Sequence, residues 1–164
     1  MVRSGIVTDP IAPEAVLNDL TSSKDGVCLL FLGVVRDHNE GRAVSGLDYE
    51  VYQGMAGKTL ADISSEASDR FGTDRITVLH RIGELKVGEI STAIAVATPH
   101  RGEAYEASRY IIEELKQRLP IWKREHYLDG ETQWVGGHDP DPDSVRAGPK
   151  VGDSLPGQGE GEGN

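Results

Sequence analysis

The stretch RITVLHRIGELKVGEISTAIAVATPHRGEAYEASRYIIEELKQRLP, residues 75–120, decides the fold. Its first half holds two apolar segments, RITVLHRIG and ISTAIAVAT, which predict two strands joined by a turn near LKVGE. Its second half predicts a long helix that starts near Gly102, because apolar residues recur at helical spacing from Ala104 to Leu115. Since Pro120 disfavours the helical conformation at Leu119, the helix is expected to end there.

The other apolar segments extend this pattern into one α+β domain over residues 1–135. APEAVLNDL predicts a short helix, GVCLLFLGVV a buried strand, LDYEVY an alternating strand, and AGKTLADISSEASDRFG a helix that stops at Gly72. DHNEGR predicts a loop, and TQWV predicts a last strand. We expect Cys28 to have a packing role, because it lies inside the buried apolar run.

Residues 136–164 differ sharply in composition from the rest of the chain. They are rich in Gly, Pro, Asp and Glu and have almost no apolar side chains, so burial cannot offset their ordering entropy. This segment is predicted to be a disordered acidic tail.

The whole-chain composition limits the classes of function. A formal net charge of −10 argues against general nucleic-acid binding, although it allows a local basic pocket for a small anion. No apolar run is long enough to span a membrane, the start of the chain lacks the apolar stretch of a signal peptide, and one cysteine excludes an internal disulfide framework. A cytoplasmic protein is expected. The five histidines show no ligand spacing, so no metal site is expected.

The segment ELKQRLPIWKRE, residues 114–125, gathers four bases around a proline in an otherwise acidic chain. Bases at a helix C-terminus complement the helix dipole, which explains Lys116 and Arg118. The helix dipole does not explain Lys123 and Arg124, which lie beyond the helix. The two lysines are therefore candidates for one reactive pocket.

Two other basic sites are candidates for anion binding. His100 and Arg101 directly precede the long helix, whose N-terminal N–H groups favour phosphate. The alternative is that nearby glutamates satisfy the helix dipole and that Arg101 is solvated. Arg36 leaves a strand and enters a polar loop, where the alternative is a turn with ordinary solvated charges.

The length of the predicted helix places the candidate residues at its two ends far apart in space. From Gly102 to Arg118 the helix would be about 25 Å long, so His100 and Lys116 stand at opposite ends. One chain can hardly bring both into one small-molecule pocket. A homodimer with these helices antiparallel would form composite sites.

Five motifs now carry a family resemblance: FLGVVRDHNEG, LDYEVYQGM, HRIGELKVGE, TPHRGEAYEA and LKQRLPIWKRE. Their order and spacing from about Phe31 to Val135 resemble the catalytic (large) subunit of molybdopterin synthase. The resemblance implies an α+β fold of the hammerhead type. It also implies a homodimer of large subunits with a small ubiquitin-like sulfur-carrier subunit at each end, which makes a heterotetramer.

The resemblance implies a sulfurtransferase of molybdenum cofactor biosynthesis. Two sulfur atoms would pass, from the C-terminal Gly-Gly thiocarboxylates of two carriers in succession, to cyclic pyranopterin monophosphate, forming the dithiolene of molybdopterin without a cofactor. Lys116 and Lys123 match the two catalytic lysines of the family. Five residues match its substrate-binding positions: Arg36, His100, Arg101, Phe31 and Glu125. Of these, His100 and Arg101 would be supplied across the dimer.

Two other functions remain open from the residues. The basic groove could dock a ubiquitin-like tail without catalysis, in which case the carrier would bind and no sulfur would be transferred. Alternatively, the protein could bind a phosphate ligand in an unrelated pathway, without any carrier. The paired lysines favour the enzyme over this second alternative, and the separate phosphate-type site favours it over the first.

Overall fold

The computed structural model describes residues 1–135, and the predicted acidic tail at 136–164 lies outside the described residues. The described residues form strands and helices in the following order: β1 (Val2–Val7), α1 (Pro13–Leu17), β2 (Val27–Val34), β3 (His38–Asn39), β4 (Arg42–Val51), α2 (Gln53–Phe71), β5 (Ile76–Arg81), β6 (Gly83–Lys86), β7 (Ile90–Thr98), α3 (Arg101–Arg118), β8 (Ile121–Tyr127) and β9 (Thr132–Val135).

The strands form two sheets. The four-stranded sheet has the order β1-β5-β7-β2, in which β1 runs parallel to β5 and the other neighbours are antiparallel. The second sheet has the order β3-β4-β8-β9, with β6 pairing to β4. The predicted α+β class is thus confirmed.

Helices α2 and α3 pack on one face of the four-stranded sheet and enclose the main core. Leu60 and Ile63 of α2, Ala107 and Ile111 of α3, and Val78 of β5 are all fully buried there. Burial of these side chains is the main favourable contribution to the fold. The same contacts fix α3 against the sheet, and this determines where the end of the helix lies.

Strand β7 lies between two cores because its side chains alternate. Ile94 and Val96 face α2 and α3, whereas Ala93 and Ala95 pack with Val16 of the short helix α1 on the opposite face. Small side chains on the second face suit a helix of only five residues. The larger core therefore lies on the α2/α3 side of the sheet.

Several strand predictions need correction. The prediction of a loop for DHNEGR is wrong, because β3 pairs with the start of β4 in a tight hairpin. Glu40 and Gly41 turn this hairpin with left-handed φ angles of 49° and 80°. The strands β1, β6 and β8 were not predicted at all. Strand β8 was missed because its charged side chains conceal an alternating pattern.

The expected burial of β2 is also wrong, and so is the packing role expected of Cys28. Among the described residues, strand β2 pairs only with β7 and lies at the edge of its sheet, so its side chains are at most half-buried. Cys28 is exposed. A continuous apolar run does not distinguish a central strand from an edge strand, because that choice depends on the neighbours.

Helix α3 ends as predicted. Leu119 has an extended backbone with φ −70° and ψ 120°, as expected of a residue before proline. Its N–H still donates to the carbonyl of Leu115, and the chain enters strand β8 directly after Pro120. None of the helices in residues 1–135 is both long and apolar enough to cross a membrane.

An ionic cluster fixes the end of α3 to α2. Arg118 donates from Nη1 to Oε2 of Glu66 at 2.6 Å and from Nη2 to Oε1 at 2.9 Å. Tyr110 donates its hydroxyl to the same carboxylate at 2.9 Å. Arg118, and secondly Tyr110, lower the pKa of Glu66 from 4.5 to about 2.

This pKa shift predicts a pH-dependent contribution to stability. A carboxylate with a lowered folded-state pKa stabilises the fold above pH 4.5, and the contribution disappears as the pH falls from 4.5 to about 2. We expect Glu66→Gln to lower the unfolding temperature at pH 7. Thermal unfolding of both proteins at pH 7, 4 and 3 should show this difference shrinking. A difference that stays constant with pH would contradict the prediction.

Candidate active site

A cavity of about 610 Å³ opens where the end of α3 meets both sheets. Its walls come from strands β2, β5 and β7 of one sheet, from β4, β8 and β9 of the other, and from the last turns of α3. A volume of this size is typical of small-molecule sites.

The first wall is a row of residues across the four-stranded sheet. His80 on β5 pairs with Thr92 on β7, which pairs with Gly33 on β2. This row continues the sheet face that carries Val78 and Ile94, two residues further along the strands. In the core, α2 and α3 cover that face, whereas beyond the end of α3 it lines the cavity.

The second wall is a row across the other sheet. Tyr49 on β4 pairs with Lys123 on β8, and Lys123 pairs with Val135 on β9. All three side chains line the cavity. The rings of Tyr49 and His80 meet edge to face with centroids 5.0 Å apart, which joins the two walls.

The last turns of α3 form the third wall, and there Lys116 lies beside apolar Ile112 and Leu115. Lys116 is exposed and Lys123 is half-buried, with 27% of its side chain accessible. The structure therefore brings the two predicted lysines onto one cavity, although they come from a helix and a strand.

The other two bases of ELKQRLPIWKRE bind carboxylates outside the cavity. Arg118 belongs to the ionic cluster with Glu66, and Arg124 pairs with Asp48 at 3.1 Å. Asp48 also accepts from Nε2 of His126 at 2.6 Å. Arg124 and His126 alternate with Lys123 along β8, so they belong to the opposite face of the strand.

Glu125 is a buried carboxylate behind Lys123, with only 3% of its surface accessible. Its Oε1 lies 3.1 Å from Nζ of Lys123. Its Oε2 accepts hydrogen bonds from Nδ2 of Asn39 and from the hydroxyl of Tyr127, both at 3.0 Å. Three donors thus compensate its desolvation, and the carboxylate in turn fixes the ammonium group of Lys123.

Asn39 also extends this network towards Arg36, whose Nη2 lies 3.5 Å from Oδ1 of the asparagine. The hairpin of β3 and β4 is what holds Asn39 close to Glu125. Sequence reasoning missed Asn39 and Tyr127, because 86 positions separate Asn39 from Glu125. An alternating strand pattern in IWKREHY would have indicated that Lys123, Glu125 and Tyr127 share one face.

Two of the predicted substrate-binding residues lie far from the cavity. His100 and Arg101 are exposed at the start of α3, an 18-residue helix that is about 27 Å long. The lysines stand at its other end. Arg36 is also exposed and outside the cavity walls. Phe31, by contrast, lines the cavity.

His80 is a cavity residue that the motif analysis did not assign. It is buried, and desolvation lowers its pKa from 6.5 to about 4. The ring is therefore neutral near pH 7. Thr92 is buried beside it. The described residues contain no cluster of three or more His, Cys, Asp or Glu side chains placed to hold a metal.

Comparison with known proteins identifies the family. The family model described as MoaE protein matches residues 6–118. The chain is 42% identical to the molybdopterin synthase catalytic subunit of Halalkalibacterium halodurans, over 82% of this chain and 85% of that protein. It is 40% identical to the protein of the same name from Bacillus subtilis, over 83% and 86% of the two chains.

Solved structures agree with this match. Molybdopterin synthase from Staphylococcus aureus superimposes with a TM-score of 0.75 and 37% identity, over 80% of this chain and 96% of that one. A complex of subunits 1 and 2 of the molybdopterin-converting factor from Helicobacter pylori shares the fold, with a TM-score of 0.64 and 18% identity over 84% and 90% of the chains.

The described residues form a mixed α+β domain in which two lysines line one cavity of small-molecule size. The chain belongs to the family of molybdopterin synthase catalytic subunits, which are sulfur-transferring enzymes of molybdenum cofactor biosynthesis. The predicted family and enzyme class are confirmed.

The buried carboxylate gives a prediction about stability. Glu125→Gln replaces one acceptor oxygen by an NH₂ group, which then faces either Lys123 or the two donors Asn39 and Tyr127. We expect a loss of about 1–3 kcal/mol in the free energy of unfolding, measured by urea denaturation.

The matched control for this measurement is Glu131→Gln. Glu131 also pairs with a base, but 72% of its side chain is exposed. Its neutralisation should cost no more than about 1 kcal/mol. Equal losses for the two variants would show that burial of Glu125 does not strengthen its contacts.

Proposed function

We propose that the cavity is where sulfur passes from the C-terminal thiocarboxylate of a small ubiquitin-like carrier to cyclic pyranopterin monophosphate. The observation that carries this proposal is the convergence of Lys116 and Lys123 on one cavity in a chain of this family. Both reactants are anions, and two ammonium groups at one cavity favour their approach to each other.

The chemistry requires stabilisation of negative charge. The thiocarboxylate sulfur attacks an electrophilic carbon of the substrate, and a carbon–sulfur bond forms while the cyclic phosphate opens. Water then cleaves the acyl–sulfur bond, so the carrier leaves as a carboxylate and its sulfur stays on the substrate. A second thiocarboxylated carrier then supplies the other sulfur atom of the dithiolene. Charge develops on the phosphate and on the acyl adduct, where fixed cations stabilise it.

The two lysines would have different roles. Lys123 is held by the buried Glu125, so its ammonium group is preorganised to orient the substrate and stabilise the intermediate. Lys116 is exposed on the last turn of α3, where it would stabilise the thiocarboxylate adduct or act as an acid or base. Phe31 would provide an apolar contact in the same cavity.

The phosphate-binding half of the site would come from a second copy of the chain. His100 and Arg101 stand about 27 Å from the lysines along α3, which is too far for one small substrate. In a homodimer with antiparallel α3 helices, the start of one helix lies near the end of the other. Arg36, on the same chain as the lysines, would complete the anion site.

The partner of the catalytic dimer would be a small carrier subunit. The related Helicobacter pylori structure is a complex of two different subunits of the molybdopterin-converting factor. We propose that this chain likewise binds one carrier per cavity, which gives a heterotetramer. The exposed end of the cavity near Lys116 would admit the flexible C-terminus of the carrier.

Removal of either lysine tests the catalytic proposal. We expect Lys116→Ala and Lys123→Ala each to reduce molybdopterin formation by roughly 100-fold or more, because each removes a cation that stabilises the transition state. The measurement mixes each purified variant with thiocarboxylated carrier and cyclic pyranopterin monophosphate. Lys58→Ala is the matched control, since Lys58 pairs with Asp62 on the solvent-facing side of α2. Full product formation by both cavity variants would refute the proposal.

Mixed dimers test the composite site. Lys116→Ala and Arg101→Ala should each be inactive alone, whereas a dimer with one copy of each has one intact site and one doubly altered site. Random pairing after co-expression should restore about a quarter of the wild-type activity. Activity that stays at the level of the separate variants would show that Arg101 and Lys116 act within one chain or not together.

A further inference from the structure

The polar row at the wall of the cavity, formed by His80, Thr92 and Gly33, has no role in the lysine chemistry. Buried polar side chains in a protein usually have a hydrogen-bonding partner. Two members of this row carry polar atoms without one, and both atoms belong to cavity-lining residues. Such atoms on a cavity wall are available to a bound ligand.

The ring of His80 has a defined tautomer. Its Nδ1 lies 2.9 Å from the backbone carbonyl of Arg81. A carbonyl oxygen only accepts, so Nδ1 carries the proton and donates it. The neutral ring that results from the lowered pKa then leaves Nε2 as a hydrogen-bond acceptor.

The acceptor of His80 is open to the cavity. Its Nε2 has no hydrogen-bonding partner within residues 1–135, and the same holds for Oγ1 of Thr92. Among the described residues, Nε of Arg124 is the side-chain polar atom that is sealed from solvent and unpaired. Nε2 of His80 and Oγ1 of Thr92 are therefore reached by solvent, and the surface these residues line is the cavity.

Gly33 leaves this row uncovered. A Cβ atom at this position would lie 3.4 Å from Cβ of Thr92, 3.7 Å from its Oγ1 and 3.4 Å from Oγ of Ser91. A larger side chain would cover the hydroxyl of Thr92. The absence of a side chain at Gly33 thus leaves the wall beside Thr92 uncovered, and the aromatic residues Phe31 and Tyr49 line the same cavity.

Accessibility decreases from the lysines to the histidine. Lys116 is exposed, Lys123 has 27% of its side chain accessible, and His80 is only 7% accessible. Tyr49 lies between the last two, because it pairs with Lys123 across the sheet and contacts the ring of His80. A carrier tail whose anionic end stops at the lysines would leave the space beside His80 to the other reactant.

We propose that Nε2 of His80 accepts a hydrogen bond from an N–H of the flat, uncharged heterocycle of the substrate, with the hydroxyl of Thr92 as a second contact. This inference rests on the proposed function and assigns a subsite within it. A neutral acceptor attracts an N–H donor and repels the phosphate and the thiocarboxylate, which belong with the cations. The row would therefore orient the heterocycle while the lysines hold the anions.

Two substitutions of His80 separate its two ring nitrogens. In His80→Asn the side-chain NH₂ can still donate to the carbonyl of Arg81, but the Nε2 acceptor is lost. In His80→Gln the longer side chain places an amide oxygen near the position of Nε2. We expect the Asn variant to bind cyclic pyranopterin monophosphate roughly tenfold more weakly than wild type, and the Gln variant to stay within about threefold.

The measurement is calorimetric titration of the full chain with cyclic pyranopterin monophosphate without carrier, followed by titration with carrier ending in an ordinary carboxylate. Substrate affinity should fall in His80→Asn, and carrier affinity should be unchanged. Thr92→Val, which replaces a hydroxyl by a methyl group of similar shape, should weaken substrate binding alone by roughly threefold or more. Thermal unfolding shows whether each His80 variant is folded. If one is not, the Thr92→Val variant still tests the inference.

Each outcome supports or overturns a specific statement. Unchanged substrate affinity in both His80→Asn and Thr92→Val would overturn the subsite and leave the proposed function standing. A loss of carrier affinity instead would assign His80 to the carrier tail and also overturn the subsite. If wild-type protein bound no cyclic pyranopterin monophosphate at all, the proposed function itself would fail, and this inference with it.

Discussion

Pro120 forces the chain to leave helix α3, and the cavity depends on that change of direction. Leu119 before it must be extended, so the helix stops with Lys116 on its last turn and the chain continues as strand β8. Strand β8 then pairs with β4 and β9 and completes the second sheet. Without this break, Lys123 would lie two turns further along the helix rather than on the facing wall.

Carboxylates decide which of the bases remain available to a ligand. Glu66 binds Arg118 and Asp48 binds Arg124, both outside the cavity. Glu125 binds Lys123 in a different way, because it lies behind the ammonium group and leaves it on the cavity wall. An acidic chain can thus maintain a local cationic site, since its carboxylates hold the remaining bases elsewhere.

The cavity combines two electrostatic environments. The lysines near its opening suit anions, whereas neutral His80 and Thr92 deeper in the structure suit a hydrogen-bonding, uncharged ring. The two environments adjoin because Tyr49 contacts the ring of His80 and pairs with Lys123 on the neighbouring strand. A substrate with an anionic group and a flat heterocycle matches this arrangement.

The sequence by itself determined the α+β class, the extent of α3, the family, and the candidate lysines, because helical periodicity, proline geometry and motif order are local properties. Only the tertiary structure decided which bases face the cavity, since Arg118 binds Glu66 whereas Lys116, two positions earlier, lines the cavity. It also decided that Cys28 is exposed, that Asn39 holds Glu125, and that His80 is neutral. Those facts depend on neighbours distant in the chain, because burial and pairing are set by packing and not by local pattern.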